Sequence, residues 1–403
     1  MPNTSRVSIG ERLTEMKGRP SGFDYLRLSL AIAIVCIHSN SLSYGSLADA
    51  ETFWTTPARP LFRILLPMFF AVSGFLIAAS LERTRTIGSF LGLRIIRIYP
   101  PLIAEMLIVA FIIGPLITSL TVHEYFTDTR FVGGLMTLFG DMQLKLPGVF
   151  ERNPVPYTIN GQLWMLPFEL LCYLSLAGLS LFDVMHRRIV LPITAVALTL
   201  GFVMMRLRVY HGSFPPANVF SGYLLIVCFL VTASIYVYRD LIPWNRSAAI
   251  VCAVLTVLLL GPIDYGEYVA ALPIGYVTVY FGLTNPRRIR LLEKMDLSYG
   301  IFIYGFVIQQ MFASLGPWAH HWYLNIAVSL PITMAVAALS WHFIEKPALS
   351  LRKQLMQVEA WYLSWLQRGR GTLRTVEAEH RAVTAFRLAG GGAEARVSHQ
   401  PRG

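Results

Sequence analysis

Ten stretches of mostly apolar residues, each close to the length a helix needs to cross a bilayer, dominate this chain. They run over about 26–44, 61–80, 101–121, 163–182, 189–206, 219–238, 247–261, 267–283, 297–317 and 323–343. Crossing about 30 Å of hydrocarbon at about 1.5 Å per residue takes roughly 20 residues. The seventh stretch is the shortest. Backbone amides cannot stay unpaired in lipid, so segments of this kind become helices. The pattern predicts an all-α, polytopic integral membrane protein with about ten transmembrane helices. Soluble domains carry about 25% charged residues. This chain carries 14%, against 55% hydrophobic residues, and its mean hydropathy is +0.54.

Lys and Arg near span ends set orientation. With ten spans, both termini share a side. That side collects Arg6, Arg12, Lys17 and Arg19, then Arg83, Arg85, Arg94 and Arg97. Arg187, Arg188, Arg239, Arg246, Arg287, Arg288, Arg290 and Lys294 follow, with every Lys and Arg beyond Ile344. The opposite side has Arg59, Arg130, Lys145, Arg152, Arg206 and Arg208, while Arg27 and Arg63 sit at span edges. Both termini are therefore expected in the cytoplasm. The same asymmetry accounts for the net charge of +11 and the pI near 9.6, so nucleic acid is not needed to explain them.

Three parts are expected: a polar, basic N-terminal segment (1–22), a membrane domain (23–347) and a basic cytoplasmic tail (348–403). The N-terminal segment has no short apolar run followed by a small-residue cleavage site, which predicts no signal peptide. One connection, about 122–162, is long and polar and holds Pro147, Pro154 and Pro156. The tail opens with an amphipathic-looking segment, Gln354 to Trp365, and becomes rich in Gly and Arg. It is expected to be partly disordered and to lie on anionic lipid. Cys36, Cys172, Cys228 and Cys252 each fall inside an apolar run and read as small core residues. No residue set has metal-ligand spacing, so no metal is expected, and no GxSxG or P-loop occurs.

Ionisable groups deep in a spanning helix are costly, which makes each a functional candidate. Two look deep. Entering from the cytoplasm near Leu26, the first span carries His38 roughly 18 Å along its axis. Entering from outside near Leu163, the fourth carries Glu169 roughly 9 Å below the outer face. These depths put both in one half of the bilayer. His38 is followed by Ser39, Asn40 and Ser41, a polar quartet that predicts a wet cavity. An imidazole titrates near neutral pH and suits removal of a hydroxyl proton, or transient carriage of an acyl group. A neighbouring carboxylate, here Glu169, would orient it. A histidine that only hydrogen-bonds another helix has the same spacing.

Arg27 precedes His38 by eleven residues, close to three turns, so the two share a face. Asp24 sits where it pairs with Arg27 or caps the helix. Arg94 and Arg97 are spaced i, i+3 and share a face at the cytoplasmic boundary. Guanidinium pairs suit phosphate, and they equally suit anchoring to lipid headgroups.

Five segments, in order, resemble the bacterial membrane acyltransferase 3 family, which includes O-acetyltransferases of surface polysaccharides and of nodulation factors. They are Phe23-Asp24-Tyr25-Leu26-Arg27 with His38; Phe69 through Ser73-Gly74-Phe75; Arg94-Ile95-Ile96-Arg97-Ile98-Tyr99-Pro100; Leu163-Trp164 through Glu169 and Tyr173; and Leu297-Ser298-Tyr299-Gly300-Ile301, closed by Ile344-Glu345-Lys346-Pro347. The resemblance runs from about 20 to 347. It implies a multi-pass enzyme of the bacterial inner membrane. Its donor would be acetyl-CoA, or another acyl-CoA, from the cytoplasm. Its acceptor would be a hydroxyl of a glycan or lipid-linked sugar. It also implies a catalytic role for His38, functional arginines at Arg27, Arg94 and Arg97, and partners in polysaccharide synthesis. Asp24, Asn40, Ser73 and Tyr299 are expected to line the substrate cavity; Ser73 and Tyr299 fit helix packing equally well. Glu345 is expected to be structural. A transporter or flippase of polysaccharide export, without chemistry, is the alternative reading, although no paired broken-helix repeats are found.

Overall fold

A computed structural model describes residues 7–17, 20–139, 145–181, 188–210, 221–261, 266–289 and 295–365. No strand occurs among them, only an isolated bridge of Ser8 with Pro243. The principal helices are α1 (Ile9–Glu15), α2 (Gly22–Tyr44), α3 (Leu65–Arg83), α4 (Ile87–Ile108), α5 (Leu166–Ser180) and α6 (Val190–Tyr210). They continue as α7 (Gly222–Val237), α8 (Arg246–Leu260), α9 (Ala271–Gly282), α10 (Ser298–Ala313) and α11 (Trp322–Ser340). Each of the ten apolar stretches falls on one of α2 to α11. Among the described residues, five helical stretches are long and apolar enough to cross a membrane: Gly22–Tyr44, Arg59–Arg83, Ile87–Ile117, Gly161–Ser180 and Trp322–Trp365. Val190–Met205, Gly222–Val237 and Arg246–Leu260 are apolar but shorter.

Between helices in lipid the hydrophobic effect gives little, so close backbone approach has to hold the bundle. The centre is α7, apolar all round, with Leu224, Leu225, Val227, Cys228 and Phe229 wholly buried. It packs on α3 at Gly74, where a Cβ would lie only 2.1 Å from the Phe229 carbonyl oxygen. Cys172 and Cys228 are buried and all four thiols are free, as small core residues should be. On one side of the bundle, α1 is strapped to the turn after α7. Gly10 and Ile9 donate backbone hydrogen bonds to Arg239 and Ile242 at 2.9 Å, and Ser8 and Glu11 close a capping box.

The structure corrects two boundaries. The third apolar run begins near 101, but its helix begins at Ile87, where the Thr86 hydroxyl caps the Ser89 amide (3.1 Å). Arg94 and Arg97 thus lie inside α4 rather than before it. The long polar connection is also no free loop. After two short capped helices, Val122–Thr127 and Thr129–Leu135, the chain turns back into the bundle. Leu146, Val149, Phe150 and Ile159 are buried with Val109, Tyr125, Phe131 and Val307. Its irregular backbone is satisfied by protein: Gln310 Nε2 donates to the Val155 (2.9 Å) and Thr158 (2.6 Å) carbonyls, and Asn153 Nδ2 donates to Gln310. Non-helical backbone within a membrane bundle is tolerated only where protein pairs it in this way.

Contact clustering separates Met1–Ser350 from Leu351–Gly403. In the second unit, residues 351–365 are helical, with Val358, Trp361 and Trp365 exposed. The Gly- and Arg-rich remainder of the expected tail lies outside the described residues, as do Arg6, Arg19, Arg187, Arg290 and Lys294.

Candidate active site

The sequence-predicted site residues fall into two clusters joined by α2 and α10. The first is ionic. Asp296, just before α10, is hydrogen-bonded on one oxygen by the Ser298 hydroxyl (2.6 Å) and amide (3.3 Å). Its other oxygen takes both Arg27 of α2 (2.9 Å) and Arg97 of α4 (2.6 Å). Burial pushes the Asp296 carboxyl up, but the two guanidinium groups and the Ser298 hydrogen bond win and hold it well below the usual carboxylate range. Arg97 also lies 3.9 Å from Glu345 and 5.8 Å above the Tyr299 ring, whose hydroxyl donates to the Ile98 carbonyl (2.9 Å). Arg94 reaches the Ser80 hydroxyl (2.9 Å). Asp24 pairs with Arg288 (2.9 Å) rather than with Arg27.

Glu169 belongs to this ionic cluster. Tyr173, one turn on, donates to its carboxylate, and Arg27, Arg94 and Arg97 lie within electrostatic range. Among the described residues no hydrogen bond joins Glu169 to His38, so the pairing inferred from equal depth is not formed here. The physical reason is that the Glu169 carboxylate is already engaged by the Tyr173 hydroxyl one turn on, with three arginines in electrostatic range.

The second cluster surrounds His38. Its ring meets the Phe306 ring edge-on, with centroids 5.4 Å apart, and among the described residues it makes no hydrogen bond. Its neighbour Ser39 is fully buried and accepts from Gln309 Nε2 (2.6 Å); the same amide donates to the Val35 carbonyl (2.9 Å). The predicted wet cavity takes a different form. Ser39 is locked in packing, whereas Asn40 lines a cavity of about 510 Å³ with Cys36, Ile37, Thr52, Phe53 and Trp322. His38 is not among that cavity's lining residues. Ser73 is half-buried in α3, one residue before the tight Gly74 contact.

Sequence reasoning passed over the roles of four charged residues. Glu105, in α4, is 2% exposed and accepts from Asn160 Nδ2 (3.1 Å). A carboxylate five residues into an expected span was signal enough to find it. Asp296 stood outside any span and gave no local sign of its partners. Arg63 and Glu267 form a buried ion pair between the turn before α3 and the one before α9. Among the described residues no three His, Cys, Asp or Glu side chains converge as a metal site requires.

With this geometry in place, the relatives decide the family. The acyltransferase 3 profile, described as "Acyltransferase domain", matches residues 21–345. The chain belongs to the acyltransferase 3 family. It is a membrane protein and an acyltransferase. It is 27% identical to "Nodulation protein 10" of Rhizobium leguminosarum bv. viciae over 373 residues, covering 86% of this chain and 98% of that protein. It is 25% identical to an "O-acetyl transferase" of Shigella phage Sf6 over 334 residues, covering 81% and 96%. No solved structure matches it. Both clusters of this acyltransferase lie within the matched residues.

Proposed function

We propose that this acyltransferase moves an acetyl group from cytoplasmic acetyl-CoA to a hydroxyl of an extracytoplasmic or lipid-linked glycan. In this reading the chain crosses the bacterial inner membrane ten times with both termini in the cytoplasm. Phosphates of the donor bind at Arg27, Arg94 and Arg97. The thioester end of the donor reaches His38, which takes the proton of the acceptor hydroxyl as general base. Glu169 balances the arginine charge instead of orienting the imidazole. Exclusion of water around His38 limits hydrolysis of the thioester.

One observation carries the reading: Arg27 and Arg97, from different helices, converge on one carboxylate oxygen at the foot of the helix that bears His38. Arg27 and His38 are separated by about 16 Å along α2. An extended phosphopantetheine arm covers that span, so phosphates and thioester can be held at the two ends together. Each guanidinium offers five N–H donors, and Asp296 occupies few of them, which leaves donors for phosphate oxygens. The name of the phage relative, O-acetyl transferase, supports acetyl as the group and oxygen as its destination.

The test uses purified protein in detergent, where no gradient exists, with radiolabelled acetyl-CoA and surface glycan of the host cell. Labelled glycan is expected. Arg97→Ala should raise the KM for acetyl-CoA by about tenfold or more, the loss of one or two charge-assisted hydrogen bonds, and leave the acceptor KM unchanged. No transfer by intact protein would favour a transporter, and a purely acceptor-side defect in Arg97→Ala would remove the phosphate assignment.

A further inference from the structure

The proposed reaction needs a group that receives the negative charge of the thioester carbonyl oxygen, and nothing so far supplies one. Gln162 is 1% exposed, yet among the described residues neither its side-chain nitrogen nor its oxygen has a hydrogen-bond partner. Leaving a buried amide unpaired costs about 1–3 kcal/mol, so such groups are rare and call for an explanation. Its position is suggestive. The Cβ site of Gly305 lies 3.7 Å from Gln162 Nε2 and 2.9 Å from Val35, which is three residues before His38 on α2. The next residue, Phe306, holds the His38 ring at 5.4 Å and lies against the backbone of Gly161. Gln162 and His38 thus flank the same Gly305-Phe306 step of α10.

The main chain at Gln162 is also firmly held. Asn160 caps the 3-10 turn Gly161–Met165, its Oδ1 accepting from the Gln162 amide (3.3 Å). Asn160 Nδ2 donates to the Ile303 carbonyl of α10 (2.8 Å) and to Glu105 of α4 (3.1 Å). The backbone is pinned from two helices while the side-chain amide is left without a partner. That arrangement fits a donor kept ready for a ligand better than a packing residue.

Resting on the acetyl-transfer reading above, we infer that the Gln162 side-chain amide is the hydrogen-bond donor to the acyl carbonyl oxygen during transfer. The acceptor oxygen attacks the carbonyl carbon, forming the C–O bond as its proton passes to His38. The carbonyl π pair moves onto oxygen, where the Gln162 N–H stabilises it. Collapse re-forms C=O, breaks the C–S bond, and the departing thiolate takes the proton back from His38.

The experiment compares parent, Gln162→Leu and Gln162→Met, each purified in detergent and supplied with acetyl-CoA and surface glycan of the host cell as acceptor, for CoA thiol release, acetyl-CoA KM and thermal unfolding. Both variants should lose about 100- to 1000-fold in kcat, as loss of one oxyanion donor does. Their KM for acetyl-CoA should change little, and their pH–rate profile should keep its shape because an amide does not titrate. Their unfolding temperature should hold or rise, since an unpaired amide is exchanged for apolar volume. A parental kcat in both variants would overturn this inference alone. So would a marked fall in unfolding temperature in both, which marks a packing role. A parent protein that releases no thiol would overturn the acetyl-transfer reading and this inference with it.

Discussion

The Arg27–Asp296–Arg97 knot is the residue-scale feature that most shapes the account. Asp296 lies 269 positions from Arg27 in sequence, so no spacing pattern announces the pair. Arg27, Arg94 and Arg97 were legible as charges near the cytoplasmic ends of apolar runs, but their convergence on a carboxylate belongs to the tertiary fold. The sign of the pH dependence follows from the depressed Asp296 carboxyl. A carboxyl lowered in the folded state stabilises above its unfolded value of about 4, and loses that contribution as pH falls through the folded value. No Asp296-linked change in stability is expected between about pH 6 and 9, with loss confined to strong acid. Asp296→Asn should cost about 1.5–3 kcal/mol at neutral pH, because two partly buried guanidinium groups lose their charged partner. Chemical unfolding in detergent at several pH values measures this. Equal stability of the two proteins at pH 7 would contradict it.

Elements were easier to read than their ends. All ten apolar stretches are helical, because length and apolarity alone force a helix in lipid. The start of α4 is hidden in the sequence because its early turns carry Arg94 and Arg97, whose polarity resembles a span boundary. The course of 145–160 is hidden for a related reason. Pro147, Pro154 and Pro156 marked it as a loop, which it is, but its burial depends on distant side chains. Gln310 is 155 and 152 residues from the carbonyls it pairs, Val155 and Thr158. From this follows a prediction at the same scale. Gln310→Leu should leave those two carbonyls unpaired, each at about 1–3 kcal/mol, while Asn153 keeps its bond to the residue-310 backbone carbonyl (2.9 Å). Limited proteolysis should then cut within 145–160 faster than in the parent, before α7 or α10 is cleaved. Unchanged cleavage would mean that burial of Leu146, Val149 and Phe150 holds the segment alone.

For the whole molecule, the proposed topology sets the arginine knot toward the cytoplasm and His38 and Gln162 further along the bundle. Family membership and the reaction class rest on matches along residues 21–345, which no single motif conveys. Orientation has its own measurement. A single cysteine placed near residue 7, in a background without Cys36, Cys172, Cys228 and Cys252, should resist an impermeant maleimide added to intact cells and react after lysis. Labelling of intact cells would reverse the topology and set the arginines on the wrong side for cytoplasmic acetyl-CoA.

In the proposed reaction the imidazole of His38 handles the proton of the acceptor hydroxyl. Its most direct test is acetyl transfer from labelled acetyl-CoA to surface glycan by purified His38→Ala and parent protein, matched for folding by thermal unfolding. His38 makes no hydrogen bond among the described residues, so the variant should fold. Its transfer rate should drop at least about 100-fold, the contribution general-base catalysis typically makes. Transfer at the parental rate by a folded His38→Ala protein would contradict the account.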